Sequence, residues 1–188
     1  MASSSKIRSV LRKTAVPLTA TLLTLGISAS MTTPASASNS YNGNTYIQGA
    51  GDFTDDWTDE GIVAEFGGYN RNSNATCLWQ KIVFWADSSS GGHRDQIDGY
   101  FGHNTTIATH AWQSKYMSPI DADGSVGKNT WAAAGKQLRD TDDDGTVDKY
   151  DGRYRDIAIS RVNGVYHFAD ADGNDRKASY DARTCTIV

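Results

Sequence analysis

Apolar residues recur with two different periods along this chain, and the change of period divides it. Between Asn74 and Ala86, Leu78, Ile82 and Trp85 fall at i, i+4 and i+7, and Trp79, Val83 and Phe84 widen the stripe. That spacing predicts a helix over 74–86, buried on more than one side. Asn72-Ser73-Asn74 supplies residues able to cap its start. Ala108, Ala111 and Trp112, at i, i+3 and i+4, predict a second helix over 103–116. The run from Trp131 to Ala134 predicts a shorter third helix over 128–138. From Ile157 the period becomes two. Ile157–Val162 and Val165–Ala169 flank Asn163-Gly164, a strong hairpin signal. A second turn over Asp170–Asn174 leads to a third strand near Lys177–Ala182. Asn39–Gly51 reads as an exposed arm or an edge strand, and the pattern of Asp52–Gly68 leaves helix and strand open. The expected fold is α+β: a compact three-helix unit and then a small antiparallel β-meander.

An internal repeat marks the helical part. Asp98-Gly99-Tyr100-Phe101-Gly102-His103-Asn104-Thr105 returns 25 residues later as Asp123-Gly124-Ser125-Val126-Gly127-Lys128-Asn129-Thr130. Each copy is a tight turn running into a helix start. Glycine permits positive φ in the turn, and the Asp carboxylate bonds to nearby backbone N–H groups. A duplicated turn-plus-helix unit constrains fold and ligand class together.

Charge and cysteine content narrow the setting. Lys6, Arg8, Arg12 and Lys13 precede an uncharged, Leu-containing run from Ala15 to Ala29, and Ala35-Ser36-Ala37 offers a small-x-small cleavage site. Residues 1–37 read as a secretory signal peptide, and the apolar run is too short and Thr-rich to span a bilayer. The whole chain has 18 Lys plus Arg and 22 Asp plus Glu. Taking away the four leader cations leaves 14 against 22, a net charge of −8 for residues 38–188. Charge alone therefore does not draw this chain to nucleic acid or to an anionic membrane. The two cysteines, Cys77 and Cys185, are expected to pair after export. Closing a loop of that length contributes about 4–5 kcal/mol in the chain-entropy view.

The order Leu78-Trp79-Gln80, Asp98 to Thr105, Trp112-Gln113, Asp123 to Trp131 resembles the peptidoglycan-binding domain of bacterial wall enzymes, a three-helix unit. The resemblance covers about residues 74–138. His103 and Lys128 stand where that family often has Pro, and the Ser-Gly run before the first repeat is extra. With the leader, the arm and the meander read from the residues themselves, the chain divides into a leader over 1–37, an N-terminal arm over 38–72, a peptidoglycan-binding-like unit over 73–138 that rests on the resemblance, and a meander over 139–188 tied back by the disulfide. The resemblance implies a secreted, cell-wall-associated, non-catalytic protein that captures peptidoglycan or its stem peptide.

Within the repeat, the Asp and Gly positions shape turns, and Phe101, Val126, Trp112 and Trp131 fit the core. Tyr100, His103, Asn104 and Asn129 are the expected ligand contacts, with Trp131 offering one ring face. Aromatic faces suit sugar C–H surfaces, amides suit hydroxyls and carbonyls, and helix N-termini suit a carboxylate. Separately, Asp140, Asp142, Asp144, Thr146, Asp148 and Asp151 follow calcium-loop spacing, with Gly145 at the sixth position. Ca2+ is the cofactor this spacing implies, although no clear helix follows and a solvated turn has the same composition. The four His show no metal pairing, and Glu60 and Glu65 are the sole Glu, so a zinc amidase or a Glu-dependent muramidase is hard to build. Two alternatives stay open: a cysteine-type wall peptidase using Cys77, and an extracellular scaffold that binds another protein.

Overall fold

The computed structural model describes residues 43–67, 69–89 and 92–185. The expected leader, 1–37, lies outside the described residues. Among the described residues no helix is long and apolar enough to cross a membrane.

The fold is α+β, with three α-helices and a five-stranded antiparallel sheet among the described residues. Helix α1 (Asn74–Gln80) starts at Ser73, whose hydroxyl accepts from Thr76 N at 3.1 Å, a side-chain cap for an otherwise unpaired donor. All seven of its residues are buried. It continues into a π-helical turn, Lys81–Ala86, which completes the predicted 74–86 element. Helix α2 (His103–Tyr116) has the predicted bounds but a different inner face. Ala111 is exposed, and Thr105, Thr109, Trp112 and Gln113 are buried. The reason is hydrogen bonding across to α1: Trp79 Nε1 donates to Thr109 Oγ1 at 2.8 Å, and Thr105 Oγ1 accepts from Gln80 at 3.0 Å. Helix α3 (Lys128–Gly135) stops three residues short of the expected end. Gly135 packs on Trp57, and Leu138 is taken by the first strand.

The sheet comprises β1 (Leu138–Arg139), β2 (Lys149–Tyr150), β3 (Ile157–Val162), β4 (Val165–Ala169) and β5 (Asp175–Lys177), in that spatial order. Asn163 and Gly164 hold φ of 51° and 81° between β3 and β4, the two positive values that a tight hairpin turn requires. The last strand begins earlier than 177–182. Asp170 closes the preceding turn by accepting from Asp172 N at 3.0 Å and Asn174 N at 2.9 Å, so pairing resumes at Asp175. Residues 178–180 pair instead with the stretch before the helices, through Ile47 N to Ala178 O (2.9 Å) and Tyr180 N to Thr45 O (2.8 Å).

Over 43–51 that stretch takes the edge-strand alternative, with Tyr46 opposite Ser179 and Gln48 opposite Val165. Ile47 and Val63 are fully buried, and Trp57, on a short 3-10 turn (Asp56–Thr58), is 1% exposed. Trp57 meets Trp131 edge-on at 5.4 Å, Trp131 meets Trp79 at 5.5 Å, and Trp79 meets Trp112 at 5.1 Å. This chain of indoles is the spine of the core, and edge-to-face contacts of that kind add to simple area burial. Cys77 and Cys185 form a disulfide with Cα atoms 6.6 Å apart, tying α1 to the C-terminal segment across 108 residues.

Candidate functional site

Each repeat turn is held by one buried glutamine from the helix before it. Gln80 Oε1 accepts from Asp98 N (3.0 Å) and Gly99 N (2.7 Å). Its Nε2 donates to Asp98 Oδ1 (2.9 Å), Tyr100 O (3.1 Å) and Thr105 Oγ1 (3.0 Å). Gln113 treats the second copy alike: Oε1 accepts from Gly124 N (2.8 Å), and Nε2 donates to Asp123 Oδ1 (3.1 Å), Ser125 O (2.8 Å) and Thr130 Oγ1 (3.0 Å). Within each turn the Asp carboxylate also accepts from the N–H two residues on, at 2.8 Å in both copies. The backbones match as well. Gly99 and Gly124 have φ of 72° and 76°, and the capping Gly102 and Gly127 have φ of −102° and −108° with the same ψ of −172°. The first pair of glycines is required by the left-handed region, where a β-carbon is strained.

Two surface hollows result, one per copy. Asp98, Tyr100, Gly102, His103, Asn104 and Thr105 line the first, with Gln80 and Gln96. Asp123, Ser125, Gly127, Lys128, Asn129 and Thr130 line the second, with Ile62, Met117, Ile120 and Asp121. The six repeat positions are the same in both. The first hollow holds about 190 Å3 and the second about 520 Å3. The extra room comes from the loop after α2, where Ile120 is 91% exposed. Residues 62–67 and 69–72 border both. Val63 and Val126 exchange two hydrogen bonds of 3.0 Å beside the second turn, and Asn72 bridges Tyr100 beside the first. Between these points Glu65 accepts from Thr106 Oγ1 at 2.8 Å and lies 3.8 Å from His103 Nδ1.

The sequence-predicted contacts thus divide. Tyr100, His103 and Asn104 share the first hollow, and Asn129 lies in the second. Tyr100 is held by Arg71, whose guanidinium sits 4.5 Å from the ring centroid and donates to the phenol oxygen. Asn104 Nδ2 donates to Gln96 Oε1 at 2.8 Å. Trp131 is fully buried between Trp57 and Trp79 and belongs to neither hollow, which corrects its assignment as a contact residue. The sequence reading missed Gln96, Ile62, Met117 and Ile120, which come from outside the repeat. The recurring Trp-Gln pair, 79–80 and 112–113, was the available signal for the two glutamines.

The acidic loop lies between β1 and β2. Asp140, Asp142 and Asp148 present carboxylate oxygens within 4.8 Å of one another. Asp140 Oδ2 accepts from Gly145 N at 2.7 Å, and Asp148 Oδ2 accepts from Thr141 N at 2.7 Å. The Gly145 N–H first, and the Thr141 hydroxyl and N–H in turn, hold Asp140 and Asp148 below the usual carboxylate range. Asp142 is pushed up, chiefly by the Asp144 carboxylate. Val147 is 1% exposed and anchors the loop on the core. The carboxylates of Asp144 and Asp151 do not join this group. Asp144 accepts from Thr146 N at 2.7 Å, and Asp151 faces Arg139 (3.5 Å) and Lys149 (3.4 Å). A strand follows the loop instead of a helix, and Asp151 N is bonded to Gln137 O at 2.8 Å, which fixes it away from the trio.

Cys77 is fully buried and disulfide-bonded, so in this structure it supplies no thiolate of the kind the cysteine-peptidase alternative needs.

No family model, no curated protein and no solved structure matches this chain.

Proposed function

We propose that this chain is a secreted, non-catalytic protein that captures bacterial cell-wall peptidoglycan at its two repeat turns. The observation that supports the reading is the equivalence of the two hollows: six matching positions of each repeat line each one. A polymer of repeating units is the ligand class that such duplication suits. In the first hollow the Tyr100 ring, fixed by Arg71, offers a flat face for sugar C–H bonds, beside the amides of Asn104 and Gln96. In the second, Asn129 at the start of α3 lines the hollow together with Ile62, Met117 and Ile120, a mixed lining suited to the methyl groups and carboxylate of a stem peptide. The disulfide suits an oxidising, extracellular setting. Calcium at Asp140, Asp142 and Asp148 is a subsidiary part of the reading, as a stabiliser of the β1–β2 loop.

The test is co-sedimentation of the disulfide-bonded protein with purified sacculi stripped of teichoic acid, with and without calcium. Wild type is expected in the pellet, and Tyr100→Ala and Asn129→Ala are each expected to shift it toward the supernatant. Absence of retention at moderate salt in both conditions refutes the reading.

A further inference from the structure

The first repeat hollow continues along α2. Asn104, Ala108, Ala111 and Lys115 stand at i, i+4, i+7 and i+11, so they form one row on the outer face of that helix. Asn104 lines the first repeat hollow, and the other three line a further hollow of about 320 Å3. The facing wall is shared in the same way: Gln96 belongs to the first and His93 to the other, at the two ends of one 3-10 turn. That wall is anchored. His93 N donates to Phe84 O at 2.9 Å, and Ile97 is 4% exposed. The two hollows are therefore neighbours on one track between α2 and the 93–97 turn. From Asn104 to Lys115 the helix rises about 16 Å, long enough for several linked rings.

The chemistry changes along the track. At its start are the amides of Asn104 and Gln96 and the Tyr100 ring. Further on the floor is formed by the methyl groups of Ala108 and Ala111, beside Trp112 and Tyr116. Those two rings stack at 4.6 Å and are held by Asp87, which accepts from Trp112 Nε1 at 2.7 Å and from the Tyr116 hydroxyl at 3.0 Å. Ser88 and Ser89 add hydroxyls at the rim. The apolar pattern of the sequence points Ala108 and Ala111 inward, yet Ala108 is half-buried and Ala111 exposed. A floor of this kind has no spare backbone donor or acceptor, because the interior of α2 pairs its own. An extended peptide gains no main-chain hydrogen bond from it. A pyranose ring needs only flat apolar contact for its C–H face and polar groups at the rim for its hydroxyls. The second repeat has no such extension: Ala133 and Lys136 stand where the first has Ala108 and Ala111, and α3 ends at Gly135.

We propose that this track binds a linear glycan of several linked pyranose rings, the first ring at Tyr100 and Asn104 and later rings over Ala108 and Ala111. The inference rests on the wall-polymer reading and specifies the part of the polymer that the first repeat takes, the sugar strand.

Amide chemical shifts of the disulfide-bonded protein, titrated with N-acetylglucosamine and its linear dimer, trimer and tetramer, test this. Saturable shifts are expected at His93, Gln96, Asn104, Ala108, Ala111 and Lys115. Affinity is expected to rise about tenfold or more from monomer to trimer, since each added ring buries further surface. Ala111→Glu lays a longer side chain on the exposed floor, four residues before Lys115, a spacing that suits a helix. The rest of its spectrum is expected to persist while trimer affinity falls about tenfold or more. The proposal is overturned by any of five results: no saturation with the tetramer, shifts that stop at Gln96 and Asn104, equal affinity for monomer and tetramer, trimer binding unchanged in Ala111→Glu, or an equal response of these amides to trialanine. Sacculus retention separates the two readings. A protein that pellets with sacculi yet gives one of these results keeps the wall reading and loses the track; one that neither pellets nor responds loses both.

Discussion

Replacing Gln80 with Met tests whether the repeat turn is held from outside or by its own residues. The two side chains are close in length, so the exchange removes hydrogen bonds while leaving little empty space. Gln80 is 1% exposed and makes five hydrogen bonds to the first repeat. Gly99 N and Thr105 Oγ1 are buried and lose this partner entirely. Each buried polar group left without a partner costs about 1–3 kcal/mol. Asp98 N and Tyr100 O are closer to solvent and recover part of their bonding from water. The expected loss is about 3–5 kcal/mol, a large part of the 5–15 kcal/mol typical of a domain. With a urea slope of about 2 kcal/mol/M, the midpoint falls by about 2 M. Urea unfolding followed by tryptophan fluorescence reads this directly, because Trp79 adjoins Gln80 and sits in the core. Gln113→Met is expected to behave alike, since its contacts reproduce those of Gln80. A midpoint shift below about 0.5 M in either variant would mean that the Asp-to-N–H bond inside each turn suffices. The glutamines would then be passengers, and the argument that they shape the hollows would fail.

Other consequences are equally open to measurement. Glu60 is fully buried, accepts from Gln48 N and the Tyr180 hydroxyl at 2.8 Å each, and is raised by burial from 4.5 to about 7. Protonation therefore favours the folded state: this contribution is complete below about 4.5 and is lost as pH rises through about 7, at most about 3 kcal/mol. Glu60→Gln should flatten that part of the stability–pH curve, and an unchanged slope between pH 5 and 8 contradicts the assignment. Asp87 accepts from Trp112 Nε1 (2.7 Å), the hydroxyls of Tyr150 (2.9 Å) and Tyr116 (3.0 Å), and Arg153 N (2.8 Å), linking helices to sheet. Asp87→Ala should cost about 3–5 kcal/mol and lower the melting temperature by about 10 °C; a loss under 2 °C refutes the linking role. If the loop at Asp140, Asp142 and Asp148 binds calcium with the affinity of extracellular modules, 10 mM Ca2+ raises the melting temperature by about 3–10 °C over EDTA. Asp142→Ala abolishes that rise, and no difference between Ca2+ and EDTA in wild type removes the ion from the account. Cys77→Ser with Cys185→Ser should cost about 4–5 kcal/mol in denaturant unfolding, from the loop of 108 residues that the bridge closes. Cleavage of wall substrate by wild type that this double variant loses would restore a catalytic cysteine.

The chain's own pattern determined the order and type of the three helices and of the β3–β4 hairpin, but not β1, β2 or the turn at Asp56–Thr58. Local chemistry suffices for these: a cap at Ser73, Asn163-Gly164 with two positive φ values, and twin Asp-Gly turns that keep their shape in both copies. The pairing of Cys77 with Cys185 was also legible, from number and setting alone. Which face of α2 turns inward was not, because Thr105 and Thr109 are buried by hydrogen bonds to a different helix, and periodicity counts them as polar. The core place of Trp131 was legible from the repeat, but the fate of the ring face expected to stay open was not: it is covered by Trp57, which lies 74 residues earlier on a 3-10 turn. The hollows show the same division. Their repeat positions could be read in order along the chain, while Ile62, Gln96 and Ile120 reach them only through tertiary contact. The burial of Asp56 was invisible in sequence, since it loses its water only once Gly49 packs on its carboxylate and Arg161 and Tyr166 bond to it. Burial of a polar group is a property of what distant segments bring to it, and for that reason the folded chain, and not its residue order, fixed these features.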